Sequence, residues 1–209
     1  MKLQIALDLL DLQKCLDIAK TVEPYADSFQ VGIPLLLKYG VHAIEEFQAA
    51  FPNKDIFAET QIMNHEQDIA SMYLKAGATW ISVMSGTSKE VIHTVASFAS
   101  QKNKFVMMDL FNATSMGQSA MDAKKLGVDA LLYQNMYNEE NENDFAIEEW
   151  DDLRGNSKLP IYVRANINRD NIDFILSLKP DAIIIGKAIT QAKNPAQEAE
   201  FFFNAVQKA

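Results

Sequence analysis

Cysteine and long apolar runs are the two features that this chain of 209 residues has least of. Its one cysteine, Cys15, excludes a disulfide framework, which needs pairs, and fits a reducing compartment. Cys15 falls at helical spacing with Leu12 and Leu16, which predicts a core side chain rather than a nucleophile. No apolar run approaches the roughly 18 residues of a membrane span, and the start lacks the cleavage site of a signal peptide. We expect a soluble, cytoplasmic protein that does not contact a membrane.

Positive charge is also scarce: 19 Lys and Arg stand against 28 Asp and Glu, for a net charge of -9. Most of the excess lies in residues 139–152, EENENDFAIEEWDD, which hold eight acids and no base. A chain so short of basic residues is not expected to bind nucleic acid. The acidic segment lacks the spacing and glycine turn of an EF-hand, and we interpret it as a solvated loop followed by the start of a helix.

Eight short apolar runs recur along the chain, with segments of helical periodicity between them. The runs are LQIAL, DSFQV, DIFA, WISVM, KFVMM, ALLY, PIYV and AIII. Because they are apolar throughout rather than alternating, they predict parallel strands that helices cover on both faces. Eight βα units predict a single (β/α)8 TIM barrel domain, α/β in class, over residues 1–209. The alternative is an open doubly wound sheet, but no G-x-G-x-x-G follows the first run.

Helix starts are marked by residues that favour N-cap positions. Asp11 and Asn194 each precede a segment with helical periodicity, and Pro195 adds a typical first-turn residue. Asn64 and Gln67 have the spacing of a capping box, which predicts that Asn64 caps the helix in HEQDIASMYLKAG.

In a (β/α)8 barrel, the functional site forms at the C-terminal ends of the strands. The polar residue that ends each apolar run is therefore a candidate site residue, and we expect these residues to converge on one mouth. They are Asp8, Gln30, Glu59, Gln61, Ser85, Asp109, Gln134 and Arg164, with Gly186 and Lys187 after the last run.

The last two βα units predict a phosphate site. The segments RANIN and GKAIT each follow a strand and open a helix or turn, where free backbone N–H groups favour an anion. Lys187 would add a charge and Thr190 a hydroxyl. The predicted phosphate-binding residues are Arg164, Asn166, Gly186, Lys187 and Thr190.

Five stretches, spread over nearly the whole chain, resemble the orotidine monophosphate decarboxylase superfamily. They are LQIALDLL, FQVGIPLLLKYG, AETQIMN, VMMDLFNA and DAIIIGKAITQAKNPAQEA. Within the superfamily, the resemblance is to the branch of hexulose phosphate synthase and ketogulonate phosphate decarboxylase. It implies a (β/α)8 barrel, a homodimer, a phosphorylated sugar as ligand and a carbon–carbon lyase of the aldolase or decarboxylase type.

The same resemblance assigns roles to residues and marks several substitutions. The family's third-strand signature, Asp-x-Lys-x-x-Asp, falls on Glu59, Gln61 and Asn64. The resemblance implies a magnesium ion, held by a second-strand glutamate that falls on Gln30 and by the third-strand acid at Glu59. It implies no organic cofactor.

Three further positions complete this comparison with the family. The sixth-strand histidine falls on Gln134, Lys187 replaces the phosphate-binding arginine, and Asp8 matches the first-strand aspartate. Asp109, at the end of the fifth run, completes the predicted catalytic set of Asp8, Glu59, Gln61, Asn64, Asp109 and Gln134.

Neutral amides cannot act as general acids or bases near neutral pH, and they bind a hard cation less well than carboxylates do. Three interpretations therefore stay open: a sugar phosphate lyase, a binding or regulatory protein without the chemistry, and an enzyme with a different reaction. Gln30 and Gln61 either contact a ligand or hydrogen-bond each other or neighbouring backbone.

Overall fold

The fold is a closed barrel of eight parallel strands, seen in a computed structural model that describes residues 1–134 and 146–209. Each strand pairs with the next along the chain, and β1 closes the barrel against β8. The prediction of a (β/α)8 barrel is confirmed, and the doubly wound alternative is wrong. The strands are β1 Lys2–Leu7, β2 Ser28–Val31, β3 Asp55–Ile62, β4 Trp80–Met84, β5 Phe105–Asp109, β6 Ala130–Gln134, β7 Ile161–Arg164 and β8 Ala182–Ile185.

Helices lie between the strands and cover the outside of the barrel. Within the described ranges they are α1 Leu12–Val22, α2 Ile33–Tyr39, α3 Val41–Ala50, α4 Glu66–Lys75, α5 Lys89–Ser100, α6 Met116–Leu126, α7 Ile147–Asn156, α8 Ile172–Ser177, α9 Lys187–Thr190 and α10 Pro195–Lys208. Among the described residues, we find no helix with the length and apolar character needed to cross a membrane.

Two of the three predicted N-caps are confirmed. Asp11 accepts a hydrogen bond from the backbone N–H of Lys14, and Asn194 accepts one from Gln197. The cap predicted at Asn64 is wrong, because α4 begins one residue later than that cap would require. Its N-cap position is taken by His65, which is in the left-handed conformation (φ 49°) and makes no side-chain cap.

The larger part of the core lies between the strands and the helices. Cys15 is fully buried in it, as predicted, with its Sγ atom 3.7 Å from the carbonyl oxygen of Leu9. Burial raises the pKa of the Cys15 thiol to about 11. Such a thiol is almost entirely protonated at neutral pH and is therefore a poor nucleophile.

The inside of the barrel is apolar on one side and polar on the other. Its apolar side chains are Ala6, Phe57, Met107, Ala130, Leu132, Tyr162, Ala182 and Ile184. On the side of β1 and β2, Ser28 donates to Gln4 Oε1 (2.9 Å), and Gln4 Nε2 donates to Gln30 Oε1 (3.0 Å). The expectation of wholly apolar strands is wrong here, because these buried polar groups satisfy one another.

The acidic segment lies only partly within the described residues. The loop predicted over residues 139–145 falls outside them. The predicted helix start is confirmed: α7 begins at Ile147, and Glu148 and Glu149 lie in its first turn, where a helix dipole favours negative charge. Asp152 does more than face solvent, since it accepts a hydrogen bond from the backbone N–H of Gly117 (2.9 Å).

A glycine gives the first-strand aspartate its space at the barrel mouth. A Cβ atom on Gly32 would lie 1.8 Å from Asp8 Oδ1 and 3.3 Å from the backbone oxygen of Leu7. Gly32 has φ -76°, so space rather than backbone conformation requires glycine here. The side chain of Asp8 therefore lies directly over the start of α2.

We predict that Gly32→Ala lowers the free energy of unfolding by about 1–3 kcal/mol, the usual cost of overpacking. The second substitution Asp8→Ala should restore part of that loss by removing the clashing carboxylate. As a control, Gly155→Ala should not destabilise, because its Cβ would meet nothing within 4 Å. Urea unfolding of the four proteins measures these differences. Equal stability of Gly32→Ala and the parent would contradict the packing described.

Candidate active site

Seven of the ten predicted strand-end residues line two adjoining cavities at the C-terminal end of the barrel, whereas Gln30, Ser85 and Asp109 line neither. The first, of about 1090 Å³, is lined by Asp8, Leu10, Ile33, Pro34, Leu37, Lys38, Glu59, Gln61, Phe111, Gln134 and Arg164. The second, of about 580 Å³, is lined by Asp8, Gln134, Arg164, Ala165, Asn166, Ile167, Ile184, Gly186, Lys187 and Ala188. Asp8, Gln134 and Arg164 line both cavities. A ligand that extends across both would contact these three side chains.

Arg164 is the central cation of the mouth. Its Nη1 atom donates to Glu59 Oε1, and its Nη2 atom donates to Asp8 Oδ2 at 2.8 Å. All three side chains are partly or fully withdrawn from water, Glu59 the most, with 3% of its side chain exposed. Arg164 also lines the second cavity, so its predicted phosphate role stays a prediction, but two of its N–H groups are already bonded to carboxylates.

Glu59 receives donors from three directions. Besides Arg164, its Oε2 atom accepts from Gln30 Nε2 (3.0 Å) and from the backbone N–H of Ile33 (3.4 Å). Burial raises the pKa of the Glu59 carboxyl to about 7, although the nearby Arg164 charge acts in the opposite direction. Glu59 is thus the end of the buried polar chain that runs from Ser28 through Gln4 and Gln30 to the mouth.

A second carboxylate, Asp109, is surrounded by neutral donors. Its Oδ2 atom accepts from the amides of Gln61 (2.8 Å) and Gln134 (2.7 Å), and its Oδ1 atom accepts from the backbone N–H of Phe111 (3.0 Å). Burial raises the pKa of Asp109, and these hydrogen bonds act against that rise. Since an ionised carboxylate can only accept, both amide oxygens point away from Asp109.

Backbone geometry at the end of β3 directs Gln61 toward Asp109. Gln61 has a positive φ of 43°, and the register of β3 with β4 shifts between Ala58 and Ile62. The backbone N–H of Gln61 donates to Ser82 Oγ at 2.8 Å, so a side chain replaces the regular ladder partner. Bulges of this kind re-aim side chains next to functional sites.

The predicted phosphate residues are only partly brought together. Asn166, Gly186 and Lys187 line the second cavity, where Lys187 supplies a solvent-exposed cation. Thr190 is 7% exposed and does not line either of these cavities, because α9 turns it into the core.

Asn64 is exposed in the turn after β3 and lines neither cavity of its own chain, so its predicted catalytic role stays a prediction. A different expectation fails on geometry. Gln30 and Gln61 do not hydrogen-bond each other, since Gln30 bridges Gln4 and Glu59 whereas Gln61 bonds Asp109.

Sequence reasoning missed several residues that build the site. Gln4 and Ser28 support Gln30 from inside the barrel, and they look like single polar residues within apolar runs. Lys38 and Phe111 line the first cavity. Lys38 lies in the last turn of α2 and Phe111 in the turn after β5, within stretches that resemble the family but at positions to which the resemblance assigns no role.

The side chains at the mouth do not fit a magnesium ion. A hard cation such as Mg²⁺ needs several free oxygen ligands. Among the described residues, we find no group of three or more His, Cys, Asp or Glu side chains placed to hold a metal ion. The oxygen atom of Gln30 accepts from Gln4, so its NH2 group faces Glu59. The facing oxygens of Asp8 and Glu59 are already bound to Arg164. The metal site expected at Gln30 and Glu59 is therefore not formed.

With this geometry in place, comparison with known proteins gives a consistent result. Residues 1–202 match the model of the orotidine 5'-phosphate decarboxylase / HUMPS family. The chain is 28% identical over 200 residues to 3-hexulose-6-phosphate synthase of Bacillus subtilis, covering 95% of each chain.

Solved structures give the same picture. The 3-hexulose-6-phosphate synthase of Salmonella typhimurium is similar with a TM-score of 0.93 and 26% identity, covering 100% of this chain and 99% of that one. KGPDC from Streptococcus mutans, solved in complex with a sugar phosphate, has a TM-score of 0.87 over 99% and 98% of the two chains, and its 21% identity supports the fold alone.

We predict that the Glu59 carboxyl titrates with a pKa of about 7, and that Arg164→Met raises this pKa because the stabilising positive charge is lost. Carboxyl carbon NMR across a pH titration measures both values. A raised pKa means that the folded state holds this proton more tightly than the unfolded chain does. Glu59 should therefore make the free energy of unfolding fall as pH rises from about 4.5 to about 7.

The control for this titration is Arg154→Met, which removes a surface ion pair with Asp181 and should leave Glu59 unchanged. A Glu59 pKa near its ordinary 4.5, or one that Arg164→Met does not move, would contradict the environment described.

Proposed function

Because the chain belongs to the orotidine 5'-phosphate decarboxylase / HUMPS family, we propose that it is a sugar phosphate lyase of the hexulose phosphate synthase type. Such an enzyme makes or breaks a carbon–carbon bond beside a carbonyl group. The full-length relatives named 3-hexulose-6-phosphate synthase support this reaction class and a phosphorylated sugar as the substrate class. We also propose that residues 1–209 form one domain and that the protein works in the cytoplasm.

The observation that carries the proposal is the position of charges in the two adjoining cavities. The cluster of Asp8, Glu59 and Arg164 borders the larger cavity, and Lys187 borders the smaller one. A phosphorylated sugar has an anionic end and a carbonyl-bearing end. It therefore fits two adjoining cavities of which one has Lys187 for the phosphate and the other has acids and Arg164 for the carbonyl end. The phosphate binds near Lys187, Gly186 and Asn166, and the reacting carbons lie over Arg164.

The side chains at the reacting end supply the required chemistry. A lyase of this type removes a proton beside a carbonyl, and negative charge then builds up on oxygen. Asp8 and Glu59 are the carboxylates placed to accept that proton, while the remaining N–H groups of Arg164 hydrogen-bond the developing oxyanion. Gln61 and Gln134, with their amide oxygens turned away from Asp109, accept hydrogen bonds from sugar hydroxyls.

A second function is favoured by one specific observation: every mouth carboxylate already has protein donors. Asp8 and Glu59 bind Arg164, and Asp109 binds two amides and a backbone N–H. A protein that keeps this arrangement on binding its ligand would be a sugar phosphate sensor or regulator without turnover. The two functions share the phosphate cavity and differ only in what Asp8 and Glu59 do.

We predict turnover of ribulose 5-phosphate with formaldehyde, or of 3-keto-L-gulonate 6-phosphate, by the purified protein. Glu59→Gln should reduce the rate by about 100-fold or more, because a positioned proton-transfer group contributes on that order. Formaldehyde consumption and carbon dioxide release are the two readouts. Glu200→Gln, at an exposed residue of α10 that lines neither mouth cavity, is the control and should keep full activity.

Thermal unfolding with the same compounds separates the two functions, since a ligand that binds only the folded state raises the melting temperature. Lys187→Ala should weaken that rise. A rise without turnover supports the binding function over the lyase. Neither turnover nor a rise with either compound would contradict both.

We also propose that the protein is a homodimer, as the resemblance implies, and that the face around the mouth lies at the interface. Apolar side chains at this rim are unusually exposed: Leu10 by 61%, Leu37 by 83% and Phe111 by 45%. We predict a dimer mass in analytical ultracentrifugation and a shift toward monomer in Leu37→Glu. Met121→Glu, at an apolar residue exposed by 48% on α6, is the control. A monomeric parent protein would overturn the proposal.

A further inference from the structure

We propose that Arg164 is a built-in cation that occupies the position between Asp8 and Glu59 where a divalent metal ion would bind. The mouth is thereby a metal-independent site, and a ligand oxygen that reaches this point meets a guanidinium group. The inference concerns cation binding by the free protein and holds whether or not the site catalyses a reaction.

The guanidinium group of Arg164 lies where a bridging metal ion would have to bind. Its two terminal nitrogens donate to different carboxylates, one on β3 and one after β1, so the group lies between the two acids. An ion that bridged Asp8 and Glu59 would need the same two oxygen atoms, Oδ2 and Oε1. A metal ion and Arg164 therefore compete for one place, and the resident charge repels the incoming one.

The orientation of Gln30 also disfavours a metal ion, and it does so independently of Arg164. Glu59 Oε2 accepts from the Gln30 amide, so the NH2 group of Gln30 faces the carboxylate. Its oxygen, the only atom of the side chain that can bind a cation, accepts from Gln4, and Gln4 in turn accepts from Ser28. Turning Gln30 over would place oxygen against oxygen at Glu59 and nitrogen against nitrogen at Gln4. The amide is thus fixed with a donor toward the mouth.

The remaining carboxylate oxygens at the mouth do not offer other ligands for a metal ion. Both oxygens of Asp109 are occupied by donors from Gln61, Gln134 and Phe111. Asp8 Oδ1 has no hydrogen-bond partner among the described residues, but it is buried against Gly32, where an added Cβ would lie only 1.8 Å away. That oxygen is closed to a hydrated cation, so it does not offer an alternative ligand.

Together these contacts indicate that Arg164 supplies the positive charge that a metal ion supplies in a metal-dependent site. Arg164 lines both cavities, so its positive charge lies at the junction of the anionic and carbonyl-bearing ends of a bound sugar phosphate. A guanidinium group has five N–H donors, and among residues 1–134 and 146–209 only one donor on each terminal nitrogen of Arg164 is bonded, to Glu59 or to Asp8. The others remain to bind ligand oxygens.

The test measures Mn²⁺ binding to the free protein by electron paramagnetic resonance of the unbound ion. The parent protein should have no mouth site. Arg164→Ala should bind Mn²⁺ at least about tenfold more tightly, because two carboxylates lose their resident cation. The double variant Arg164→Ala with Glu59→Gln should lose that gain, and Arg164→Lys, which keeps the charge, should bind no more than the parent.

The acidic surface will bind Mn²⁺ weakly in every variant, and the double variant corrects for that background. If Arg164→Ala does not fold, as judged by circular dichroism, broadening of the Arg164 side-chain N–H signals by Mn²⁺ in the parent protein decides the question. No broadening beyond that of the surface Arg154 signals supports the proposal. Strong, selective broadening at Arg164, or a folded Arg164→Ala protein without tighter binding, would overturn it.

Discussion

The interaction on which the mouth depends is the contact of one guanidinium group with two carboxylates that are distant from it in the sequence. Arg164 lies 105 residues from Glu59 and 156 residues from Asp8 in sequence. Without Arg164, a buried acid and a partly buried one would lie side by side, and protonation or a metal ion would be needed to reduce their repulsion. The ion cluster ties β1, β3 and β7 together at the end of the barrel where ligands bind in this fold.

The cluster in turn depends on a polar chain inside the barrel. In this chain each side chain donates a hydrogen bond to the next, from Ser28 to Gln4, from Gln4 to Gln30 and from Gln30 to Glu59. The amide nearest the mouth, that of Gln30, therefore directs its NH2 group and not its oxygen toward Glu59. Beside it, Gln61 and Gln134 likewise direct their NH2 groups to Asp109, which turns their oxygens away from that carboxylate. The mouth thus has fixed amide donors on both Glu59 and Asp109, and the outward-turned oxygens of Gln61 and Gln134 suit a neutral, hydroxyl-rich ligand portion next to an anionic end.

Much of the site's placement is predictable from the sequence, and its bonding is not. A polar residue that ends an apolar run marks the end of a strand, which locates Asp8, Glu59, Asp109 and Arg164 at one mouth. Which side chains hydrogen-bond each other depends on the register between distant strands and on space such as that left by Gly32. A short stretch of sequence determines neither of these. For that reason the sequence alone does not reveal that Arg164 binds Asp8 and Glu59, does not single out Gln4 and Ser28, and gives Asn64 a cap that the left-handed turn at His65 rules out.

The family assignment and the altered side chains are compatible if the positive charge at the mouth is kept but is supplied by the Arg164 guanidinium group and not by a metal ion. The most direct measurement is anomalous diffraction from crystals grown with manganese and a phosphorylated sugar. We expect phosphate density beside Lys187 and Gly186, and the Arg164 guanidinium group between Asp8 and Glu59 without a manganese peak. A manganese peak bridging Asp8 and Glu59, with Arg164 displaced, would contradict this expectation.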